Sequence, residues 1–312
     1  MLGRSPSPRS GTSPATVAPV STNLAVETAV DPRGGGRYGV AFSADWWVHV
    51  GPNGGIPAAL VTRACIAEAN LDGGARVPRT VTVHYLAPAV VGPAEVTVAV
   101  ERAGAGVSFL SARIRQGDRL VANAIAALAA PRAEPYAFDE IPVASPPPPD
   151  ACPILDYPDR KDGPVALRER WDTRHGIGPA ALGHVAAVPP ERIGETEATS
   201  GGWMRLAEPV PVDHVVIAAM ADAWLPPVLA LAGRPRVVVP TVELTVHFRH
   251  DHVGRYAPDS WFLGEFRTRA VAEGFLEEDG EIRGPDGRLV AMSRQLAVMT
   301  PFDVATARKA AR

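Results

Sequence analysis

An internal repeat constrains this chain more than any other feature. "TVTVHYLAPA" (Thr80 to Ala89) resembles "VELTVHFRHD" (Val242 to Asp251), and "GDRLVANAIAAL" (Gly117 to Leu128) resembles "DGRLVAMSRQLA" (Asp286 to Ala297). Setting His84 against His247 gives an offset of 163, and Arg119 against Arg288 gives 169. Two matches in the same order at nearly the same offset indicate a duplicated unit.

Both copies carry the same order of elements. In the first, "GPNGGIPAALVTRACIAEAN" (Gly51 to Asn70) opens on an asparagine and two glycines, then runs on as an apolar-rich helix. Strand-like runs follow at "RTVTVHYLA", "AEVTVAVERAG", "VSFLSARIRQ" and "RLVANAIAALA". In the second, Asp213 is a good N-cap for "HVVIAAMADAW", which then meets Pro226 and Pro227. Its strand candidates are "RVVVPTVELTVHF", "SWFLGEFRTRAVA", "FLEEDGEIRG" and "RLVAMSRQLAVM", with "GPDG" (Gly284 to Gly287) as a tight hairpin between the last two. One helix followed by four antiparallel strands, twice over, predicts an α+β protein in which each sheet wraps its apolar face around its own helix.

Residues 1–35 read as a loose tail, because Ser, Pro, Thr and Gly bury too little surface to offset the entropy of ordering. The halves then span 36–135 and 201–303, with a short tail at 304–312. Between them, residues 136–200 read as a connector with room for a short helix, stiffened by four consecutive prolines at Pro146 to Pro149.

Composition excludes several classes of function. The net charge is −3 across 312 residues, with no basic stripe to neutralise phosphates, so nucleic acid is not an expected partner. Cys65 and Cys152 are the only cysteines, too few for a disulfide framework or a thiolate metal cluster. No run of about 18 apolar residues or signal-like apolar core occurs, so the expectation is a soluble cytoplasmic protein without a membrane span. "GGGRYG" (Gly34 to Gly39) lacks the Lys–Ser/Thr end of a phosphate loop, and no G-x-S-x-G elbow occurs.

A helix with a glycine-rich entrance and a four-strand meander, duplicated in one chain, resembles the double hotdog fold. "NGGIPAAL", "ADAWLPP", "PTVELTVHF" and "SRQLAVM" sharpen this. They are similar to segments of the type II acyl-CoA thioesterases and their thioesterase-like relatives, over roughly residues 36 to 130 and 200 to 300. The resemblance implies hydrolysis of an acyl-CoA without metal or organic cofactor, a role in lipid metabolism, and association into a homo-oligomer that covers exposed sheet edges. In that family an Asp, a Thr and a Gln together bind and activate the hydrolytic water. By motif these are Asp222 in "ADAW", Thr241 in "PTVEL" and Gln295 in "SRQLAVM". The chain departs from the better-known members at Leu244, where they carry a histidine.

The residues bear a physical reading of their own. Asp222 lies nine residues beyond Asp213, with Ala218, Ala219, Leu225 and Pro226 as its helical neighbours. Burying an ionised carboxylate there costs several kcal/mol without partners. Asp222 therefore either faces solvent or is held for chemistry. Alternation sets Gln295 beside Ala291, Ser293 and Ala297, and Arg294 on the opposite face. Gly54 and Gly55, at the helix entrance, are candidate donors to a developing oxyanion, and ordinary helix-entry geometry explains them equally. Ala126 and Pro78 stand where the second half has Gln295 and Thr241, which predicts one active site per chain, at the interface between halves.

Other signals are set aside. "DWWVH" (Asp45 to His49) raises a hotdog hydratase, but its Asp–His spacing of three differs from the four that such enzymes use, and Trp46 and Trp47 read as sheet or subunit-surface packing. His84 and His247 recur in both halves as scaffold, "EEDGE" (Glu277 to Glu281) reads as a solvated strand and turn, and Cys65 as core. The alternative to an enzyme is a protein that binds acyl thioesters without turnover.

Overall fold

The fold comes from a computed structural model that describes residues 23–48, 51–133, 136–154, 165–178, 198–230 and 237–301. His49, the second residue of the discounted hydratase pair, and most of the expected N- and C-terminal tails lie outside the described residues.

In the first half a single-turn helix α1 (Leu24–Glu27) leads into the hairpin β1 (Asp31–Gly34) and β2 (Arg37–Phe42). Gly36 in its turn has φ 70° and packs against the Val98 carbonyl, leaving no room for a Cβ. The helix α2 (Gly55–Ala69) and the strands β3 (Val77–Tyr85), β4 (Gly92–Ala103), β5 (Ser108–Gln116) and β6 (Arg119–Ala129) follow. In the second half come β7 (Trp171–Ile177), β8 (Ala198–Leu206) and α3 (His214–Met220). The short β9 (Val237–Val238), then β10 (Thr241–Phe248), β11 (Phe262–Thr268), β12 (Val271–Ala272), β13 (Phe275–Arg283), β14 (Leu289–Val298) and β15 (Thr300–Pro301) complete it.

The two halves share one antiparallel sheet of thirteen strands, ordered β1-β2-β4-β5-β6-β3-β10-β14-β13-β11-β8-β7, with β12 beside β13. The order reads as one half followed by its mirror sequence. The seam is β3 against β10, where Val83 faces Leu244 and the Thr82 and Thr245 hydroxyls meet at 2.8 Å. This is an α+β double hotdog.

Helix α2 is buried along nearly its whole length, from Gly55 through Thr62 and again at Ala64 and Cys65. A surface helix keeps one polar stripe; this one is enclosed by the sheet on one side and α3 on the other. Asp213 caps α3 as its sequence predicts, with Oδ1 accepting from the Val215 and Val216 amides at 2.9 and 3.0 Å.

Three features differ from expectation. Each helix is preceded by a strand pair that the meander pattern omits: α1 and β1 occupy the end of the expected tail, where Leu24 and Thr28 are buried, and β7 arises inside the expected connector. The inward residues of β7, Trp171 and Thr173, give too short an alternation to stand out in sequence. Second, α3 ends at Met220 rather than running through Trp224. The next residues tighten into i→i−3 contacts, Asp222 N to Ala219 O and Ala223 N to Met220 O, as expected ahead of Pro226 and Pro227. Third, Trp46 is fully buried in a short 3₁₀ turn rather than at a surface. The proline-rich segment docks against the second half: Trp203 Nε1 donates to the Pro147 carbonyl at 2.8 Å, and the buried Arg283 pairs with Asp139 at 2.6 Å.

Candidate active site

The shortening of α3 sets up the site. Its C-terminal end runs onto the N-terminus of α2, so that a Cβ on Gly55 would strike the Ala219 carbonyl. The turn then aims Asp222 at the first amides of α2. Asn53 Nδ2 donates both to the Asp222 carbonyl (2.6 Å) and to its Oδ2 (2.8 Å), while Asn53 Oδ1 accepts from Gly55 N at 3.1 Å. A Cβ on Gly54 would sit 2.8 Å from Asp222 Oδ2. The glycine pair is therefore a requirement of close approach. The Gly55 amide donates to Asn53 Oδ1, and the amides of both glycines favour the Asp222 anion beside them.

Burial pushes the Asp222 carboxyl up to about 6, against the Gly55 and Gly54 amides, the Thr241 hydroxyl and the Asn53 amide, which all favour the anion. The N-terminal end of α2 adds its positive dipole at the same place.

Strand β10 begins at Thr241 with a bulge that shifts the register between Thr241 and Glu243. Bulges of this kind re-aim side chains beside functional sites. The Thr241 hydroxyl donates to Gln295 Oε1 at 2.8 Å and lies 3.5 Å from Asp222 Oδ1. Its single proton goes to the nearer acceptor. Gln295, on β14, is 5% exposed, and its Nε2 donates to Glu278 Oε1 at 2.7 Å. Asp222, Thr241 and Gln295, read from separate motifs, thus meet at one place, with Thr241 bonded to Gln295 and Asp222 Oδ1 3.5 Å from the same hydroxyl.

The three line a cavity of about 410 Å³ whose other walls are mainly apolar, including Val48, Leu86 and Val121 from the first half and Leu225, Leu229 and Val238 from the second. Tyr85 also lines it, and its hydroxyl donates to the Gly54 carbonyl at 2.6 Å. Burial and the Asp222 charge hold the Tyr85 phenol well above its ordinary range.

Three residues of this arrangement escaped the sequence reading. Asn53 was passed over as part of the helix entrance, and Tyr85 as the end of a strand. Glu278 reads as solvated within "EEDGE", yet it is 4% exposed. The alternation Leu276, Glu278, Gly280, Ile282 was the available signal, since it puts Glu278 on the apolar face.

The duplicated position in the first half is built differently. Arg63 lies nine residues beyond the Gly54 cap, as Asp222 does beyond Asp213, and it pairs with the Asp213 carboxylate at 3.7 Å. Arg63 also donates to Thr28 Oγ1, behind α1. Ala126 replaces the glutamine and is buried among apolar neighbours. A guanidinium stands where the second half has its carboxylate.

Profiles of the acyl-CoA thioesterase family match this architecture in two pieces. The N-terminal domain profile covers residues 43–129 and the C-terminal domain profile residues 149–299. The chain belongs to the acyl-CoA thioesterase family. Among solved structures, this thioesterase superposes on a conserved hotdog protein of unknown function from Alicyclobacillus acidocaldarius with TM-score 0.78 and 27% identity, covering 91% of this chain and 100% of that one. An acyl-CoA thioesterase II from Mycobacterium marinum shares the fold at TM-score 0.65 and 18% identity, covering 90% and 99%. No curated protein sequence matches significantly. As a family member the chain is a thioester hydrolase. Among the described residues no helix is long and apolar enough to cross a membrane.

Proposed function

We propose that the protein hydrolyses an acyl-CoA to the free acid and CoA, with Asp222 as general base and Thr241 and Gln295 holding the attacking water. What supports this reading is the meeting of a carboxylate, a hydroxyl and a carboxamide on one wall of an otherwise apolar cavity. With the Thr241 proton given to Gln295, Asp222 Oδ1 and a Thr241 lone pair remain to accept both hydrogens of a water. That leaves a water lone pair for the thioester carbonyl carbon.

Attack forms the C–O bond as a water proton passes to Asp222. On protonation Asp222 loses its claim on the amides at the α2 N-terminus, just as charge develops on the thioester oxygen. The Gly54 N–H, with the Gly55 N–H once it turns from Asn53 Oδ1, then serves that oxyanion, so the same helix end stabilises the negative charge before and after transfer. Collapse breaks the C–S bond, and the departing thiolate takes the proton back.

The test is thiol release, read with a chromogenic thiol reagent, across short, medium, long, branched and aromatic acyl-CoAs. Asp222→Asn should lower turnover by roughly 10²-fold or more, the range of general-base assistance. Undiminished hydrolysis by both Asp222→Asn and Gln295→Ala would discard the assignment.

A further inference from the structure

Gln295 is useful to a water only if its carboxamide is held still, and the cavity side cannot do this alone. On that side it meets the Thr241 hydroxyl at 2.8 Å. Behind it, directly across the β13–β14 pairing, stands Glu278. Gln295 Nε2 donates to Glu278 Oε1 at 2.7 Å, and both residues are buried. Glu278 is not on the cavity wall, so it reaches the reaction only through Gln295.

The placement is costly. Glu278 Oε2 is buried without a hydrogen-bond partner among the described residues. Leu276 and Ala297, beside it on the sheet, belong to a small apolar cluster with Val228. The charged groups that act on it are Asp222 across the site and Glu277 and Asp279 on its own strand, all acidic. Burial, with Asp222 and then those strand neighbours adding to it, pushes Glu278 up to about 8 against the Gln295 contact, which favours its protonated form at neutral pH. A neutral acid still accepts from Gln295 through its carbonyl oxygen, and it sets no second charge beside Asp222. A leucine would pack there without an orphaned oxygen but would leave the buried Gln295 Nε2 unpartnered, so the acid is suited to holding that carboxamide.

We infer that Glu278 is a positioning residue: it anchors the Gln295 carboxamide from behind, and so fixes the Thr241–Gln295 pair against Asp222. This rests on the proposed roles of Asp222, Thr241 and Gln295, and it adds a fourth residue that never touches substrate.

A double-mutant cycle tests it, read as kcat and KM for whichever acyl-CoA the panel selects. Glu278→Leu should lower kcat about tenfold, the effect of one lost hydrogen bond, with KM within about twofold. Glu278→Gln, which keeps a partner for the carboxamide, should retain kcat within about threefold. In a Gln295→Leu background, Glu278→Leu should change nothing further, because its only route to the reaction is gone. Should the leucine variant not fold, Glu278→Met carries the same cycle. Wild-type kcat in Glu278→Leu, or an equal further loss in the Gln295→Leu background, overturns the inference. If Asp222→Asn hydrolyses normally, the underlying site fails instead, so the two failures are distinguishable.

Discussion

The Gly54→Ala substitution probes the contact between the α2 N-terminus and Asp222 with a single methyl group. The backbone there, φ −63° and ψ −21°, accepts alanine without strain, so the effect is local. The new Cβ would lie 2.8 Å from Asp222 Oδ2 and 3.3 Å from the Tyr85 ring and hydroxyl. Tyr85 is fixed by its bond to the Gly54 carbonyl, which leaves the carboxylate to yield. It must retreat by roughly 0.7 Å to reach an unstrained contact of ~3.5 Å. That displacement lengthens the bond from Asn53 Nδ2 and draws the carboxylate away from the Gly54 amide that favours its anion. Losing one hydrogen bond to a charged group costs about 1.5–3 kcal/mol, which corresponds to a kcat roughly 10- to 150-fold lower. A second signature separates this from general damage. Asp222 acts as a base in its ionised form, so wild-type kcat should fall as pH drops through about 6. The Gly54 amide is one of the groups holding that value down, so its loss should move the acid limb to higher pH. Stopped or continuous thiol-release assays from pH 5 to 8 give both quantities. Wild-type kcat with an unmoved acid limb would refute the geometry and, with it, the role of the glycine pair.

Two further outcomes concern stability. His252 is fully buried against His214, with ring centroids 4.9 Å apart, and burial depresses it to about 3. Its folded value lies below the unfolded one, so the unfolded chain binds more protons and stability is lost as pH falls below about 6.5; the loss by pH 5 is about 2 kcal/mol. Urea midpoints of wild type and His252→Gln should therefore converge on acidification, and parallel curves would exclude His252 as the cause. Gly280→Ala would press a Cβ onto Ser293 Oγ and within 2.8 Å of the Phe266 ring, an overpacking cost of about 1–3 kcal/mol seen as a lower Tm. An unchanged Tm would show that Phe266 has room to move.

The duplication, the fold class and the run of strands in each half were legible because they depend on local pattern. The matched segments around His84 and His247 announce two copies, alternation in "SRQLAVM" sets Gln295 on the face opposite Arg294, and Asp213 marks a helix start. Those signals lie within a few residues of one another, where side-chain period and capping chemistry act. Asp222, Thr241 and Gln295 sit in separate motifs; the family resemblance implies that they act together, while the spacing of the motifs carries no sign of it.

What only the tertiary structure decided is the set of contacts between distant segments. Glu278 looked solvated because the acids around it, Glu277 and Asp279, are partly exposed on the other face; its burial follows from pairing with β14. Asn53 acquires its partner 169 positions away, where α3 ends early against α2. The Arg63–Asp213 pair that takes the carboxylate's place in the first half likewise exists only once the two helices cross. Local sequence fixes periodicity and caps, whereas the perturbed acidity of Asp222 and Glu278 comes from desolvation, a property of how the whole sheet closes over them.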